Sequence, residues 1–192
     1  MSMQEPYRVL RCAVDVSDAA ISALQTRAGR AKSIFNYNTT APLNDGLRRQ
    51  QRFKNDETVA IAQFTTGVVA ALRANGVVGV RHSIVEWVVL LSLAGCREQH
   101  PHTDFDPDAR AGPLGVLIGL EPHTKLVVFE VVDDGGLAPH TIEFSRGDIV
   151  VFRHDTIHAG AAYDVRNIRV HCYVDYLDAP ARISGKTYLM GV

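Results

Sequence analysis

Hydrophobic and polar positions follow helical spacing in the first part of this chain and strand spacing afterwards. Helical spacing covers residues 17–32, where Ser17 or Asp18 can cap the first turn, and residues 56–74, which Asn75-Gly76 terminates. Apolar residues of the second segment lie on more than one face. We therefore expect that helix to be largely buried against a sheet.

From residue 77 onward the pattern is that of short β-strands, separated by turn sequences rich in Gly, Asp and Pro. Several of these segments alternate apolar and polar residues with the period of a strand. The predicted strands cover residues 77–80, 85–93, 114–121, 125–132, 141–144, 149–152, 157–163 and 168–176.

Three side chains in the strand region have the chemistry of an iron site. His102 and Asp104 are two residues apart, and His158 lies at the start of the predicted strand over residues 157–163, which follows a break at His154-Asp155. Two imidazoles and one carboxylate bind Fe(II) on one face of an octahedron and leave the other face open for a cosubstrate and O₂. Because the chain has eight histidines, the prediction depends on these three residues together.

A cationic side chain follows on the last predicted strand. Period 2 puts Arg169, His171 and Tyr173 on one face of that strand. A turn at residues 164–165 would form a hairpin, with His158 opposite His171 and Arg169 about 7 Å further along. This arrangement predicts a guanidinium about one small dicarboxylate's length from the metal.

Together these residues resemble the signature of the Fe(II)- and 2-oxoglutarate-dependent dioxygenases. The resemblance covers about residues 85–177 and rests on His102-Thr103-Asp104, the Gly147-Asp148 turn, His158-Ala159-Gly160 and Arg169. It implies a mainly β fold with flanking helices, namely a double-stranded β-helix, which is also called a jelly roll or cupin-like barrel.

The resemblance also implies residue roles. His102, Asp104 and His158 would ligate iron, and Arg169 would pair through its planar fork with the distal carboxylate of 2-oxoglutarate. Decarboxylation of 2-oxoglutarate to succinate would drive hydroxylation of a small molecule or a protein side chain. The further candidate cosubstrate contacts are Gln99, His171, Tyr173 and Ser92. Gln99 also resembles the Q-x-x-H-x-D variant of the phytanoyl-CoA-hydroxylase-like branch.

Some of these assignments have structural alternatives. Arg169 could pair with Asp148 or Asp175 instead of a cosubstrate, and His171 and Tyr173 could simply fill the barrel interior. Two other functions would use the same barrel. One is a cupin-like metal enzyme that does not use 2-oxoglutarate and for which Arg169 is dispensable; the other is a catalytically silent binding module.

Length and composition predict one domain over residues 1–192, with a helical flank over 1–76 and a β-barrel core over 77–177. The chain shows neither an apolar run of membrane-spanning length nor a secretory signal, so we expect an intracellular, cytoplasmic protein without a membrane partner. Widely spaced cysteines are typical of reduced thiols. These are Cys12, Cys96 and Cys172.

Charge says little about the substrate, because 20 basic residues nearly balance 21 acidic ones. We expect the basic stretch over 48–54 to be a solvated loop or helix end, with a clamp for an anionic organic substrate as the alternative. Phe53 is its single aromatic residue, so nucleic acid is the less favoured ligand. The loop over 105–113 is a candidate lid, and its Arg110 is a candidate substrate contact.

Overall fold

A computed structural model of the chain describes residues 5–33, 46–109, 112–133, 135–179 and 188–189. Within these ranges the chain forms two helices and twelve strands. The helices are α1 (Asp18–Gly29) and α2 (Val59–Ala74). The strands are β1 (Tyr7–Leu10), β2 (Lys32–Ser33), β3 (Arg48–Arg52), β4 (His82–Ser92), β5 (His102–Thr103), β6 (Leu114–Gly119), β7 (Thr124–Val131), β8 (Leu137–Phe144), β9 (Ile149–Phe152), β10 (His158–Gly160), β11 (Asn167–Tyr176) and β12 (Tyr188–Leu189).

The strands form two antiparallel sheets. The large sheet has the order β1-β9-β6-β11-β4-β3-β2, and the small sheet has the order β12-β5-β10-β7-β8. Successive strands cross between the sheets, since β9 and β11 belong to the large sheet and β10 to the small one. This alternation is the winding of a double-stranded β-helix, as the sequence predicts.

Two apolar clusters hold the layers together. The first lies between the helices and the outer face of the large sheet, where Leu24, Leu72 and Val89 are inaccessible to solvent. The second fills the space between the sheets and contains Leu117, Leu126, Val128, Ile142, Phe144, Val150 and Phe152. Burial of such apolar surface is the main favourable contribution to folding. Phe152 also contacts the ring of His158, with centroids 4.8 Å apart, so the candidate site borders this inner cluster.

Both helices lie where the sequence predicts them, with small differences at their ends. Ser17 caps α1 through its side-chain oxygen. The second helix begins three residues later than predicted. Thr58 is its N-cap, because the Thr58 hydroxyl accepts a hydrogen bond from the backbone amide of Ile61. The chain leaves α2 through Gly76, which adopts a φ of 70°.

The predicted strand over residues 77–80 is wrong. The amides of Val77 and Val78 both donate to the carbonyl of Leu72 in α2, so these residues complete the helix terminus. The β-branched residues there favour a strand, but their backbone amides instead satisfy a carbonyl group in the last turn of α2.

The N-terminal flank is not only helical, because β1 and β3 are strands of the large sheet. The basic stretch is correspondingly not a solvated loop or helix end, since Arg48 to Arg52 pair with Ser92 to Val88 of β4. Its sequence Arg-Arg-Gln-Gln-Arg has no apolar alternation. Backbone pairing nevertheless satisfies its amide groups, and this kind of pairing leaves no signal in the side-chain pattern.

The predicted hairpin between the strands of His158 and Arg169 is also wrong. β10 pairs with β5 and β7, whereas β11 pairs with β4 and β6. The segment between them crosses from the small sheet to the large one. His158 and Arg169 therefore come from opposite walls of the barrel.

The described cysteines are free thiols, as predicted: Cys12 is exposed, and Cys96 and Cys172 are buried. Among the described residues, neither helix has the length and apolar character needed to cross a bilayer.

Candidate active site

The side chains of His102, Asp104 and His158 converge on the small sheet. His102 in β5 and His158 at the start of β10 are direct cross-strand partners, and their ring centroids are 4.6 Å apart. Asp104 follows His102 by two residues and so returns to the same side of the chain. One potential ligand atom from each of the three lies within 4.8 Å of the other two.

Backbone contacts orient the two imidazoles. The Nδ1 atom of His102 lies 2.8 Å from the carbonyl oxygen of His100, and that of His158 lies 2.9 Å from the carbonyl oxygen of Thr156. A carbonyl oxygen can only accept a hydrogen bond, so each Nδ1 carries a proton, and in the neutral form of either ring the lone pair is on Nε2. The Nε2 atoms lie 3.9 and 3.7 Å from the two carboxylate oxygens of Asp104, and these separations are too long for hydrogen bonds.

Burial and neighbouring charge set the protonation of this cluster. Burial, assisted by the nearby His158, lowers the pKa of His102 to about 4, so its ring is neutral at pH 7. Burial raises the pKa of Asp104, but the surrounding imidazoles and the Tyr173 hydroxyl outweigh burial and bring it below the ordinary value. The cluster therefore presents lone pairs and a negative charge, as a divalent cation requires.

Tyr173 and His171 lie beside Asp104. The Tyr173 hydroxyl donates to Oδ2 of Asp104 at 3.0 Å, and burial together with that carboxylate raises the pKa of Tyr173, which keeps it a donor. His171 packs against Tyr173 and Phe152, and its Nε2 lies 3.9 Å from Asp104 Oδ2. No described residue forms a hydrogen bond with this buried Nε2 atom. Both side chains therefore contact the candidate metal ligand Asp104, and their role in binding a cosubstrate stays a prediction.

Arg169 reaches the interior from the large sheet and is 5% exposed. Its Nη1 donates to the Ser92 hydroxyl at 3.0 Å, and its guanidinium carbon lies 5.5 Å from the centre of the Tyr163 ring. The structural alternative of pairing with Asp148 does not occur, because Asp148 accepts from Arg11. Within the described residues Arg169 has no acidic partner, so its positive charge is directed into the barrel.

Gln99 supports the strand that carries His158. Its side-chain oxygen accepts a hydrogen bond from the backbone amide of Gly160 at 2.9 Å, and its backbone amide donates to the Gly160 carbonyl at 3.0 Å. Gln99 therefore contacts β10, and its contact with a cosubstrate stays a prediction. In the candidate lid, Phe105 packs edge-on against Tyr173, while Arg110 lies outside the described residues.

Sequence reasoning missed Arg48. This residue is 1% exposed and donates to the Ser92 hydroxyl, which also accepts from Arg169. No pattern in the basic stretch distinguishes Arg48 from the half-buried and exposed residues beside it, because an arginine in a polar run is normally solvated.

Comparison with known proteins identifies the fold. No family model and no curated protein matches the sequence. Among solved structures, the prolyl-4-hydroxylase of Pseudomonas putida is similar with a TM-score of 0.66 and 16% identity, over 90% of this chain and 94% of that one. The chain has the fold of the 2-oxoglutarate-dependent oxygenases.

Other structures with this oxygenase fold differ in their reactions. SnoN, an α-ketoglutarate-dependent epimerase from nogalamycin biosynthesis, matches with a TM-score of 0.65 and 14% identity over 98% of this chain and 92% of that one. HygX from Streptomyces hygroscopicus, with nickel, 2-oxoglutarate and hygromycin B bound, matches with a TM-score of 0.59 and 10% identity over 90% and 84%. The predicted double-stranded β-helix is confirmed.

Proposed function

We propose that this chain is an Fe(II)- and 2-oxoglutarate-dependent dioxygenase. One observation carries the proposal: a buried cluster of two imidazoles and a carboxylate shares the barrel interior with an arginine that has no acidic partner among the described residues. The first group suits a divalent cation, and the second suits an anionic cosubstrate. The same fold in HygX holds nickel and 2-oxoglutarate, which supports both assignments.

The donor set fits iron. His102 and His158 would each provide a neutral Nε2, and Asp104 would provide a carboxylate oxygen; two histidines and one carboxylate are the ligand set of non-haem Fe(II) oxygenases. When bound there, Fe(II) would supply the oxidation by O₂ that is coupled to decarboxylation of 2-oxoglutarate to succinate. The protein keeps the imidazoles oriented through the His100 and Thr156 carbonyls.

Arg169 would bind the distal carboxylate of 2-oxoglutarate. Its surroundings are buried, so a charge-assisted hydrogen bond to a carboxylate is stronger there than in water. The Ser92 hydroxyl accepts a hydrogen bond from one guanidinium nitrogen. The ring of Tyr163 lies beside the guanidinium carbon, and the backbone of Lys125 fixes the Tyr163 hydroxyl. His171 is a further cosubstrate contact in this proposal, since its buried Nε2 faces Asp104.

The organic substrate would be a small molecule or a protein side chain, and hydroxylation would be the reaction. The small-molecule choice is supported by HygX, whose structure includes hygromycin B. We further propose that residues 1–192 act as one domain, because β1 and β3 complete the sheet that carries Arg169. The free cysteines support an intracellular, cytoplasmic location.

An anaerobic titration tests the proposal. Purified protein receives Fe(II) and then 2-oxoglutarate, and the visible charge-transfer band of the chelate is recorded. We expect the band in the wild type, its loss in His158→Ala, and at least about a tenfold weaker 2-oxoglutarate affinity in Arg169→Ala.

Two exposed residues provide matched controls. His123 is 77% exposed in its side chain and Arg166 is 48% exposed, so His123→Ala and Arg166→Ala should both retain the band. Absence of the band in iron-loaded wild-type protein contradicts the proposal. That result would favour the cupin-like metal enzyme, for which Arg169 is dispensable, or the silent binding module.

A further inference from the structure

Arg48 connects the two walls of the candidate site. It begins β3, where it pairs with Ser92 of β4 in the large sheet, and its Nη1 lies 3.2 Å from the Ser92 hydroxyl oxygen. Its Nη2 donates to the carbonyl oxygens of Gly160 at 2.9 Å and Ala161 at 2.5 Å. Gly160 is the last residue of β10, the small-sheet strand that begins with His158, and Ala161 follows it. One guanidinium therefore contacts both the wall of Arg169 and the wall of the metal ligands.

The position of Arg48 requires glycine at residue 160. A Cβ atom there would lie 2.7 Å from Nη1 of Arg48 and 2.4 Å from the side-chain oxygen of Gln99. Real Cβ atoms essentially never approach other atoms so closely. The close packing of Arg48 and Gln99 on the backbone of β10 is thus built into the sequence.

The Ser92 hydroxyl is shared between two guanidiniums. Its oxygen lies 3.2 Å from Nη1 of Arg48 and 3.0 Å from Nη1 of Arg169. A hydroxyl oxygen has two lone pairs, so it can accept both hydrogen bonds. Both arginines are at least 95% buried, so each is held in a fixed direction. The two guanidiniums are therefore coupled through one hydroxyl oxygen.

We propose that Arg48 is a positioning residue that fixes Arg169 through the Ser92 hydroxyl and thereby sets the preference of the site for a 2-oxo acid with a second, distal carboxylate. This inference rests on the proposed function, because it needs 2-oxoglutarate to bind near Arg169. It goes beyond that function in assigning the selectivity to a residue that does not itself touch the cosubstrate.

Two 2-oxo acids separate this role from simple structural support. 2-Oxoglutarate and 2-oxobutyrate share the chelating end, but 2-oxobutyrate lacks the distal carboxylate. For each protein we measure both dissociation constants by anaerobic titration of the Fe(II) form, and we take their ratio as the selectivity. Fe(II) affinity and melting temperature are measured alongside.

The variants are Arg48→Lys, Ser92→Ala and their double mutant, with Arg49→Lys as the matched control on the same strand. We expect each single variant to lower the selectivity about tenfold, the value of one charge-assisted hydrogen bond, with Fe(II) affinity unchanged within about twofold. Arg49 follows Arg48 on β3 and is therefore on the opposite face of the strand, so Arg49→Lys should keep the wild-type ratio. Ser92→Ala leaves the carbonyl contacts of Arg48 intact, and so it remains informative even if Arg48→Lys folds poorly.

The double mutant decides whether Arg48 acts through Ser92. If it does, the double mutant loses no more selectivity than either single variant, because both changes break the same connection. Selectivity losses that multiply, or a ratio in Arg48→Lys equal to that in Arg49→Lys, overturn the proposal. A role limited to stability would lower the melting temperature and leave the ratio unchanged. If the wild type fails to prefer 2-oxoglutarate at all, the proposed function fails as well.

Discussion

Replacing Gly160 by alanine probes the contact between β10 and the side chains that hold it. The new methyl group would be 2.4 Å from Oε1 of Gln99 and 2.7 Å from Nη1 of Arg48. Both atoms are the ends of side chains and can move away. Moving them disrupts the hydrogen bonds that Gln99 and Arg48 make to the Gly160 backbone, which are both 2.9 Å long.

The expected cost follows from these contacts. Each lost hydrogen bond removes on the order of 1 kcal/mol, and about twice that when the donor is charged. Overpacking of a filled interior adds about 1–3 kcal/mol to this loss of stability. Alanine also makes the unfolded chain less flexible than glycine does, which offsets the loss by less than about 1 kcal/mol. We expect Gly160→Ala to lower the free energy of unfolding by about 3–6 kcal/mol.

Urea unfolding measures this change, with fluorescence of Trp87 as the signal. Trp87 is the single tryptophan of the chain and is 7% exposed. Gly29→Ala is the matched control, because a Cβ at the end of α1 meets nothing within 4 Å; its stability should stay within about 1 kcal/mol of the wild type. Equal stability of the two variants would refute the reasoning.

Two further predictions concern an acid and two thiols. Burial raises the pKa of Asp148, but hydrogen bonds from two backbone amides and Arg11 bring it below the ordinary value of 3.8. Its contribution to stability is therefore complete above that value and is lost as the pH falls through the lowered pKa. The free energies of unfolding of the wild type and Asp148→Asn, measured in urea, should differ most at neutral pH and become equal in acid. A difference that stays constant with pH would contradict this. With Ellman's reagent, native protein should expose only Cys12, because Cys172 is fully buried and burial raises its pKa. Rapid reaction of Cys172 before denaturation would contradict the assigned packing.

One strand has both of its ends where the sequence predicts them. The strand over residues 149–152 has the predicted ends, because four consecutive apolar residues follow a turn whose Gly147 has a φ of 83°. β3 was missed because its side chains are all polar and its pairing is made by the backbone. Pairing partners are harder still to predict, since a strand's side-chain pattern states which face is buried but not which strand lies beside it.

The cluster of candidate metal ligands could be predicted because its chemistry resides in a few residue types at short spacing. His102, Asp104 and His158 are brought together as predicted, although the hairpin that was expected to place Arg169 near them does not form. Arg48 could not be predicted, because charged residues are rarely fully buried. Its burial depends on carbonyl groups more than a hundred residues away, and a local pattern holds no information about them.

The contacts of Arg48 also bear on when the site can form during synthesis. Arg48 lies early in the chain, whereas Gly160, Ala161 and Arg169 lie in its last fifth. Such contacts have high sequence separation, so loop closure must precede them and folding is slow. A nascent chain released before residue 169 cannot complete the connection from Arg48 to Arg169. Truncated translation products should therefore lack the proposed cosubstrate site even where the helices have already folded.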